Sequence, residues 1–428
     1  MSSSLSPFSK PQFQLKHFLT RNKSLTSLFS SHLSHLSLFL SCMAVSLLNS
    51  YNVSDLCIGK PALRSLPPAA TVADALSVLK RGGAAVAVWG PPETNPNPTI
   101  VGRVCMVDVL CYLCAEENLS SPSSALSAPV SALLSEGSAT LLQRVEPKTS
   151  VLDALDKLVE GAQYLVVPIR NRSSPLGRKK HGFSFDFCWL TPEDFVRFFL
   201  NNIALLSPTP TLPISSLGII RPAEYTINHR APAISAVPLL RAAVTAQSSV
   251  AVLSDDGHLV GEISPYTLSL SDESAAAAIA ALPAGDLISF LDCLTSPPIS
   301  TLRAIKSQLK SQNLLGMLEL LEPDVLSSNS STGSASSSGS ESSGCESSDD
   351  EPTIRRVRRS GSYTARMGRK AEEAIVCHEW SSLVAVLVQA LAHRVGYVWV
   401  VDEEFGLVGI VRFLDILTVF REQFRESI

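Results

Sequence analysis

Four segments of this chain repeat one pattern, in which a short apolar strand runs into a turn and then into a helix with an acidic or hydroxyl residue in its first turn. Aligned on the template G-h-h-[ST]-x-x-D, where h is apolar, each segment keeps part of the pattern. The segments are residues 102–108 (GRVCMVD), 188–194 (CWLTPED), 261–267 (GEISPYT) and 409–415 (GIVRFLD). An internal repeat decides what each isolated residue can mean, and this one predicts a tandem sensor or docking protein rather than an enzyme.

The residues around each segment predict a β-α-β-β-α unit. In the third repeat, Val250–Leu253 and Leu259–Ile263 flank a Ser-Asp-Asp-Gly turn, which is a strong hairpin signal. We expect one helix over residues 265–281 after this hairpin, because the segment is rich in alanine. A unit of about 50–60 residues cannot cover its own sheet, so the units should pair.

The order of the units predicts an α/β (α+β) fold of two tandem pairs. The first pair spans 51–207, with repeats at 51–120 and 128–206. The third repeat and some extra helices span 212–322, and a fourth repeat at 373–425 completes the second pair.

Two segments fall outside these units. Residues 323–372 are rich in serine, then acidic, then basic, and such a composition predicts disorder because little apolar surface is buried. Residues 1–50 are rich in serine and basic, with no acidic residue, which resembles an organellar transit peptide. The alternative is a disordered extension, with the functional chain starting at Met43.

Composition bounds the class of protein. The chain has 428 residues, of which 45% are apolar and 17% charged, so it can build real cores in two or three domains. The formal net charge of −4 gives no reason to expect a nucleic acid or an anionic membrane as a partner, and no segment predicts a membrane span.

The nine cysteines follow no regular framework, which is typical of reduced thiols in an intracellular protein. Cytoplasm or nucleus is therefore favoured, and chloroplast if residues 1–42 are a transit peptide.

The repeated unit resembles the cystathionine-β-synthase (CBS) domain, and four copies resemble two Bateman modules, each a pair of CBS repeats. The chain is especially similar to plant CBS-domain-containing proteins that carry four repeats and little else. The resemblance covers about residues 50–322 and 373–425. It implies a regulatory ligand such as AMP, ATP or S-adenosylmethionine, and no required cofactor. It also implies a protein partner, such as a kinase complex, a thioredoxin or a metabolic enzyme, and self-association through the paired repeats.

The resemblance also implies which residues contact the ligand. In the family, the template's Asp holds the ribose and its Ser or Thr lies by the ribose or phosphate. Thr191 and Asp194 in repeat two are the intact pair. Asp108 and Asp415 keep only the carboxylate, and Ser264 keeps only the hydroxyl.

A purely structural interpretation competes with ligand contact at these positions. Thr191 is a favourable N-cap, Pro192 suits the first helical position, and acids stabilise the positive end of a helix. Ser264 with Pro265 has the same character. Arg412 occupies the hydroxyl position of repeat four, where it either contacts a phosphate or is simply exposed.

Two basic segments allow similar alternatives. Residues 170–181 either reach a polyphosphate or form a solvated loop. The run at 355–359 places Ser360 and Ser362 where a basophilic kinase would phosphorylate them, which would remove positive charge locally. The same run is also typical of a nuclear import signal, or of a linker that nothing binds.

The histidines are scattered over the chain without metal-ligand spacing, and the sequence has no nucleophile motif and no phosphate-binding loop. We therefore expect a non-enzymatic regulatory protein that senses an adenosine ligand and modulates a partner. The alternative is a ligand-free interaction scaffold controlled by phosphorylation within residues 326–370. A thiol-linked redox regulator is a third interpretation, supported only by the resemblance and the free cysteines.

Overall fold

A computed structural model of the protein describes residues 43, 45–46, 48–90, 99–134, 138–169, 186–294, 296–321 and 374–425. Most of the predicted extension, the basic segment 170–181 and the segment carrying Ser360 and Ser362 lie outside the described residues.

Each repeat has its own three-stranded sheet, in which the first strand is parallel to the middle strand and the third is antiparallel to it. In chain order the strands are β1 Ser65–Leu66, β2 Val86–Trp89, β3 Ile100–Val104, β4 Leu142–Arg144, β5 Tyr164–Ile169, β6 Asp186–Leu190, β7 Thr226–Asn228, β8 Val250–Leu253, β9 Leu259–Ile263, β10 Val376–Cys377, β11 Tyr397–Val401 and β12 Leu407–Arg412. A helix crosses from the first strand to the second and another follows the third, which confirms the predicted β-α-β-β-α unit.

The helices bury their apolar faces against these sheets and against each other. In chain order the α-helices are α1 Val53–Leu56, α2 Val72–Lys80, α3 Met106–Leu113, α4 Pro122–Ser127, α5 Val151–Val159, α6 Pro192–Asn201, α7 Val237–Thr245, α8 Pro265–Ser269, α9 Ser274–Ala281, α10 Ala284–Asp292, α11 Ile299–Ser311, α12 Leu383–Ala392 and α13 Phe413–Arg425. Short 3-10 helices cover Val130–Leu133, Ser138–Leu141, Ile203–Leu206, Thr209–Thr211, Ile214–Leu217, Ala233–Ala236 and Leu315–Leu321. Among the described residues, no helix combines the length and apolar character that crossing a membrane requires.

The single helix predicted over residues 265–281 is wrong, because the chain forms α8 and α9 instead. Asp272 accepts hydrogen bonds from the backbone N–H and the hydroxyl of Ser274, at 3.0 and 2.5 Å. This local bond gives the Ser274 amide a partner outside the helical ladder, so it favours a break between two helices over one continuous helix.

Sheets of consecutive repeats face each other. Between repeats one and two, the guanidinium of Arg103 lies 4.2 Å from the centre of the Tyr164 ring. Between repeats three and four, the corresponding Glu262 is buried and accepts hydrogen bonds from Trp399 Nε1 at 2.6 Å and from the Tyr397 hydroxyl at 3.1 Å. The pairs of repeats are therefore one–two and three–four, as in the predicted two-module fold.

The helices form a second set of contacts that joins the two pairs. One hydrophobic core draws mainly on repeats one and three, and the other mainly on repeats two and four. In the second core the rings of Phe199 and Phe420 lie 5.3 Å apart, and Arg421 bonds Asp156 with both Nε and Nη2. The two modules consequently share both of their cores.

Candidate functional site

The template positions lie at the starts of the helices that follow the third strands, and there they hold the local backbone. Asp194 Oδ2 accepts hydrogen bonds from the backbone N–H of Thr191 at 2.7 Å and from its hydroxyl at 2.9 Å. In repeat three, Ser264 Oγ accepts from the Thr267 N–H at 3.0 Å. These are capping interactions, so the structural role proposed for the two sites is present.

Asp194 also contacts repeat one. Its Oδ2 lies 2.5 Å from the ammonium of Lys60, and only 18% of the Asp194 side chain is exposed. Lys60 belongs to the linker that enters repeat one, so the cation comes from the other repeat of the pair. The carboxylate expected to hold a ribose is thus ion-paired by the protein itself.

Asp415 has the same arrangement in repeat four. Arg221, from the linker that enters repeat three, donates from Nε to Asp415 Oδ1 at 2.9 Å. Arg412 donates from its own Nε to Oδ2 at 2.8 Å. The Asp415 side chain is only 7% exposed, so a largely buried carboxylate is shared by two guanidinium groups.

The two linkers are equivalent along their length. Residues 53–60 (VSDLCIGK) align with residues 214–221 (ISSLGIIR), and each begins with one short helical turn. The residues just before them make matching bridges, Asn52 with Ser150 and Pro213 with Ser382. The Lys60–Asp194 and Arg221–Asp415 pairs are therefore the same contact in two copies.

A cavity of about 90 Å³ adjoins the Arg221–Asp415 pair. Its lining combines aromatic and charged residues: Arg221, Pro222, Ala223, Glu224, Tyr225, Ser248, Trp399, Ile410 and Arg412. Two cations and one acid therefore lie beside flat rings, which is the combination that a base and a phosphate require. Sequence reasoning missed Lys60, Arg221 and this lining, although the similarity of the two linkers was a usable signal.

Asp108 in repeat one makes the same backbone contact as Asp194. Its Oδ2 accepts from the Cys105 N–H at 2.7 Å. Burial raises the pKa of Asp108 above its ordinary value, although this hydrogen bond and the charges of Arg103 and Arg241 act in the opposite direction. Burial likewise raises the pKa of Cys105 to about 12, so the residue in the hydroxyl position remains a neutral thiol.

The five predicted residues do not form one centre. Thr191 and Asp194 lie together, while Asp108, Ser264 and Asp415 each occupy the helix start of another repeat. Among the described residues, no group of three or more His, Cys, Asp or Glu side chains is arranged to hold a metal ion.

Proteins of similar sequence match nearly the whole length of the chain. No family model matches the chain. The Arabidopsis thaliana protein "CBS domain-containing protein CBSX5" is 39% identical over 406 residues, which cover 89% of this chain and 98% of that protein. "SNF1-related protein kinase regulatory subunit gamma-like PV42b", also from Arabidopsis thaliana, is 22% identical over 88% of this chain and 96% of its own length.

Among solved structures, protein MJ1225 from Methanocaldococcus jannaschii, titled a putative archaeal homolog of g-AMPK, is similar with a TM-score of 0.49. It shares 15% identity with this chain and covers 86% of it, and the match takes in 100% of the archaeal chain. The similarity to CBSX5 over nearly the whole of both sequences, together with the four repeats, shows that the chain belongs to the family of CBS domain-containing proteins.

Proposed function

We propose that the chain is a non-enzymatic regulatory protein that senses an adenine nucleotide in the clefts between paired repeats and modulates a protein kinase. Family membership supports a regulatory role, and the name of the PV42b relative supports a kinase as the partner. The observation that carries the proposal is the repeated cation–carboxylate pair, Lys60 with Asp194 and Arg221 with Asp415.

A nucleotide carries one group that can bind the carboxylate of such a pair and another that can bind its cation. The two ribose hydroxyls donate hydrogen bonds to a carboxylate, and the phosphate oxygens accept them from a lysine or arginine. When a nucleotide binds, Asp415 exchanges the Arg221 guanidinium for the ribose, and Arg221 binds the phosphate. No charge is left unpaired in either state, so the exchange avoids the cost of burying an isolated charge.

The cleft between repeats three and four is the better site. Tyr225 and Trp399 offer aromatic surface to a base, and Arg412 adds a second cation. Glu224 lines the same cavity, so its charge and that of Asp415 balance the two arginines. This balance favours a ligand with both hydroxyl donors and phosphate acceptors over inorganic phosphate. It also favours AMP or ATP over S-adenosylmethionine, which has no phosphate.

The size of the cavity indicates how binding would reach a partner. About 90 Å³ is well below the roughly 300–1,000 Å³ typical of small-molecule pockets. A nucleotide therefore binds only when the linker carrying Arg221 moves away from β12, to which it is joined by backbone hydrogen bonds between Arg221 and Ile410, both 2.9 Å. Ligand binding then selects an open linker, and a partner that distinguishes open from closed senses the ligand.

Calorimetric titration of the full chain with AMP, ATP, S-adenosylmethionine and inorganic phosphate tests the proposal. Loss of a charge-assisted hydrogen bond is worth about 1.5–3 kcal/mol, so Asp415→Ala should weaken nucleotide binding about ten- to a hundredfold. Asp74→Ala is a matched control, because Asp74 makes the same capping box with Thr71 but lies exposed at the start of α2. No binding by the wild-type chain, or equal binding by Asp415→Ala, would refute the site.

The scaffold remains the second candidate, and one observation favours it: Asp194 and Asp415 are already satisfied by protein groups. A scaffold predicts no thermal shift with any nucleotide, and loss of partner capture when residues 326–370 are deleted. Its proposed phosphorylation sites, Ser360 and Ser362, lie outside the described residues, so replacing both by alanine is the corresponding test.

A further inference from the structure

Two cysteine thiols from different repeats meet inside the first module. Cys57 ends helix α1 in the linker of repeat one, and Cys188 lies in strand β6 of repeat two. Their side chains hydrogen-bond each other, Cys188 is fully buried, and Cys57 is 8% exposed. Both belong to the core shared by repeats two and four.

The second module has glycine at both of these positions. In the alignment of the linkers Cys57 corresponds to Gly218, and in the template alignment Cys188 corresponds to Gly409. The thiol pair is therefore found in the first module alone, where cysteine replaces glycine at both positions. Packing of the common fold does not require either side chain.

The linker of the first module has room for the Cys188 side chain. At the matching Gly409, an added Cβ would lie 2.5 Å from the Arg221 carbonyl oxygen and 2.9 Å from Cγ2 of Ile220. A side chain at this position therefore points into the linker. In the first module the counterpart of Ile220 is Gly59, which has no side chain and adopts a φ of +78°. This substitution removes one obstruction at the place where Cys188 meets Cys57.

Each thiol of the pair changes the ionisation of the other. The hydrogen bond from Cys57 lowers the pKa of Cys188, burial acts against this, and the nearby Lys60 ammonium lowers it further. The same hydrogen bond, together with burial, raises the pKa of Cys57. The two thiols therefore form a hydrogen-bonded pair beside an ammonium group, in which one cysteine can attack and the other can resolve.

We propose that Cys57 and Cys188 form a reversible disulfide when a peroxide oxidises the protein. The thiolate of one of the two cysteines attacks one peroxide oxygen and becomes a sulfenic acid, and the other oxygen leaves as hydroxide and takes up a proton to give water. The second cysteine then attacks the sulfur of the sulfenic acid and expels hydroxide, which takes up the proton of the second thiol and leaves as a second water. Two thiols are oxidised and one peroxide is reduced.

The disulfide fixes the linker of repeat one to the strand that leads to Asp194. It closes a loop of about 130 residues, which restricts the unfolded chain strongly. It also holds the segment carrying Lys60 in place, because Lys60 N–H already bonds the Cys57 carbonyl at 3.1 Å. The oxidised first module is thereby locked in the closed state, whether or not a nucleotide binds there.

Peptide mapping of the full chain tests the proposal. Reduced protein is treated with hydrogen peroxide, digested without reductant and analysed by tandem mass spectrometry. We expect a cross-linked peptide bridging Cys57 and Cys188 that disappears on reduction with dithiothreitol and is absent from Cys57→Ser and Cys188→Ser. The matched control is Cys377→Ser, because Cys377 is another buried thiol in the same core, and it should keep the cross-link.

Hydrogen exchange supplies a second measurement that uses only the wild-type chain. Amides of residues 53–60 should exchange more slowly after oxidation, at least tenfold where exchange needs the linker to open. The proposal is refuted if peroxide leaves Cys57 and Cys188 as thiols while other cysteines are oxidised. It is also refuted if the two sulfurs reach sulfinic or sulfonic acid without a cross-link.

Discussion

The Asp415 cluster makes a quantitative prediction about stability. Replacing Asp415 by alanine removes a carboxylate that is only 7% exposed and leaves the Arg221 and Arg412 guanidinium groups facing each other. The Arg412 bond is the better shielded, since its side chain is 26% exposed, and a charge-assisted bond of this kind is worth about 1.5–3 kcal/mol. Arg221 is 49% exposed, so solvent screening limits its bond to about 1 kcal/mol.

The helix dipole adds a further contribution, because Asp415 lies in the first turn of α13. An acid there contributes about 0.3–1 kcal/mol. We therefore expect Asp415→Ala to lower the free energy of unfolding by about 3 kcal/mol. The measurement is urea unfolding followed by tryptophan fluorescence, which includes the signal of Trp399 beside the cluster.

Double-mutant cycles separate the two arginines. Combining Asp415→Ala with Arg412→Ala should give a coupling energy of about 1.5–3 kcal/mol, and combining it with Arg221→Ala a coupling below about 1 kcal/mol. The single variant Arg412→Ala removes only the side-chain bond, because Asp415 still accepts the 3.3 Å hydrogen bond from the backbone N–H of residue 412. It therefore separates the contribution of the guanidinium from that of the helix cap. A larger coupling to Arg221 than to Arg412, or a total loss below about 1 kcal/mol, would show that burial does not decide the strength of these pairs.

Two other predictions concern the cores. Glu262 is 1% exposed and accepts hydrogen bonds from Trp399 Nε1 and the Tyr397 hydroxyl. Glu262→Leu should therefore lower the free energy of unfolding by about 2–4 kcal/mol, and Glu262→Gln, which keeps an acceptor, by about 1 kcal/mol. Equal melting temperatures of the two variants by calorimetry would contradict this. Burial raises the pKa of Cys377 from 9.0 to about 12, so the folded chain retains a proton that the unfolded chain releases, and stability falls as pH rises from about 9 to 12. Cys377→Ala should lose this part of the pH dependence, and a stability difference from wild type that is constant over this range would refute the assignment.

The local structure was largely predictable because it rests on periodicity and turn chemistry. The hairpin over Val250–Leu253 and Leu259–Ile263 is predicted and observed with the same bounds. The prediction over residues 265–281 was wrong because alanine content does not show where a side chain will bond to the backbone and interrupt a helix. Here Asp272 accepts a hydrogen bond from the Ser274 N–H.

The candidate site was only half predictable. The template locates Asp194 and Asp415, since both belong to the strand–turn–helix segment that repeats. It contains nothing about Lys60 and Arg221, which come from linkers more than a hundred residues away in the sequence. A periodic pattern reports contacts within a repeat, whereas the electrostatic state of the site depends on the contact between repeats.

The same linker contact explains why the two modules should behave differently. In both modules a cation from the linker pairs with the aspartate of the second repeat, Lys60 with Asp194 and Arg221 with Asp415. The residues around the two cations differ. Near Lys60 the chain places the Cys57 and Cys188 thiols, which favours covalent control of the linker. Around Arg221 it places Trp399 and a second arginine, which favours control by a ligand. Because the helices join both modules through shared cores, we expect a change of linker position in one module to affect ligand binding in the other, which titration of the oxidised and reduced chain would measure.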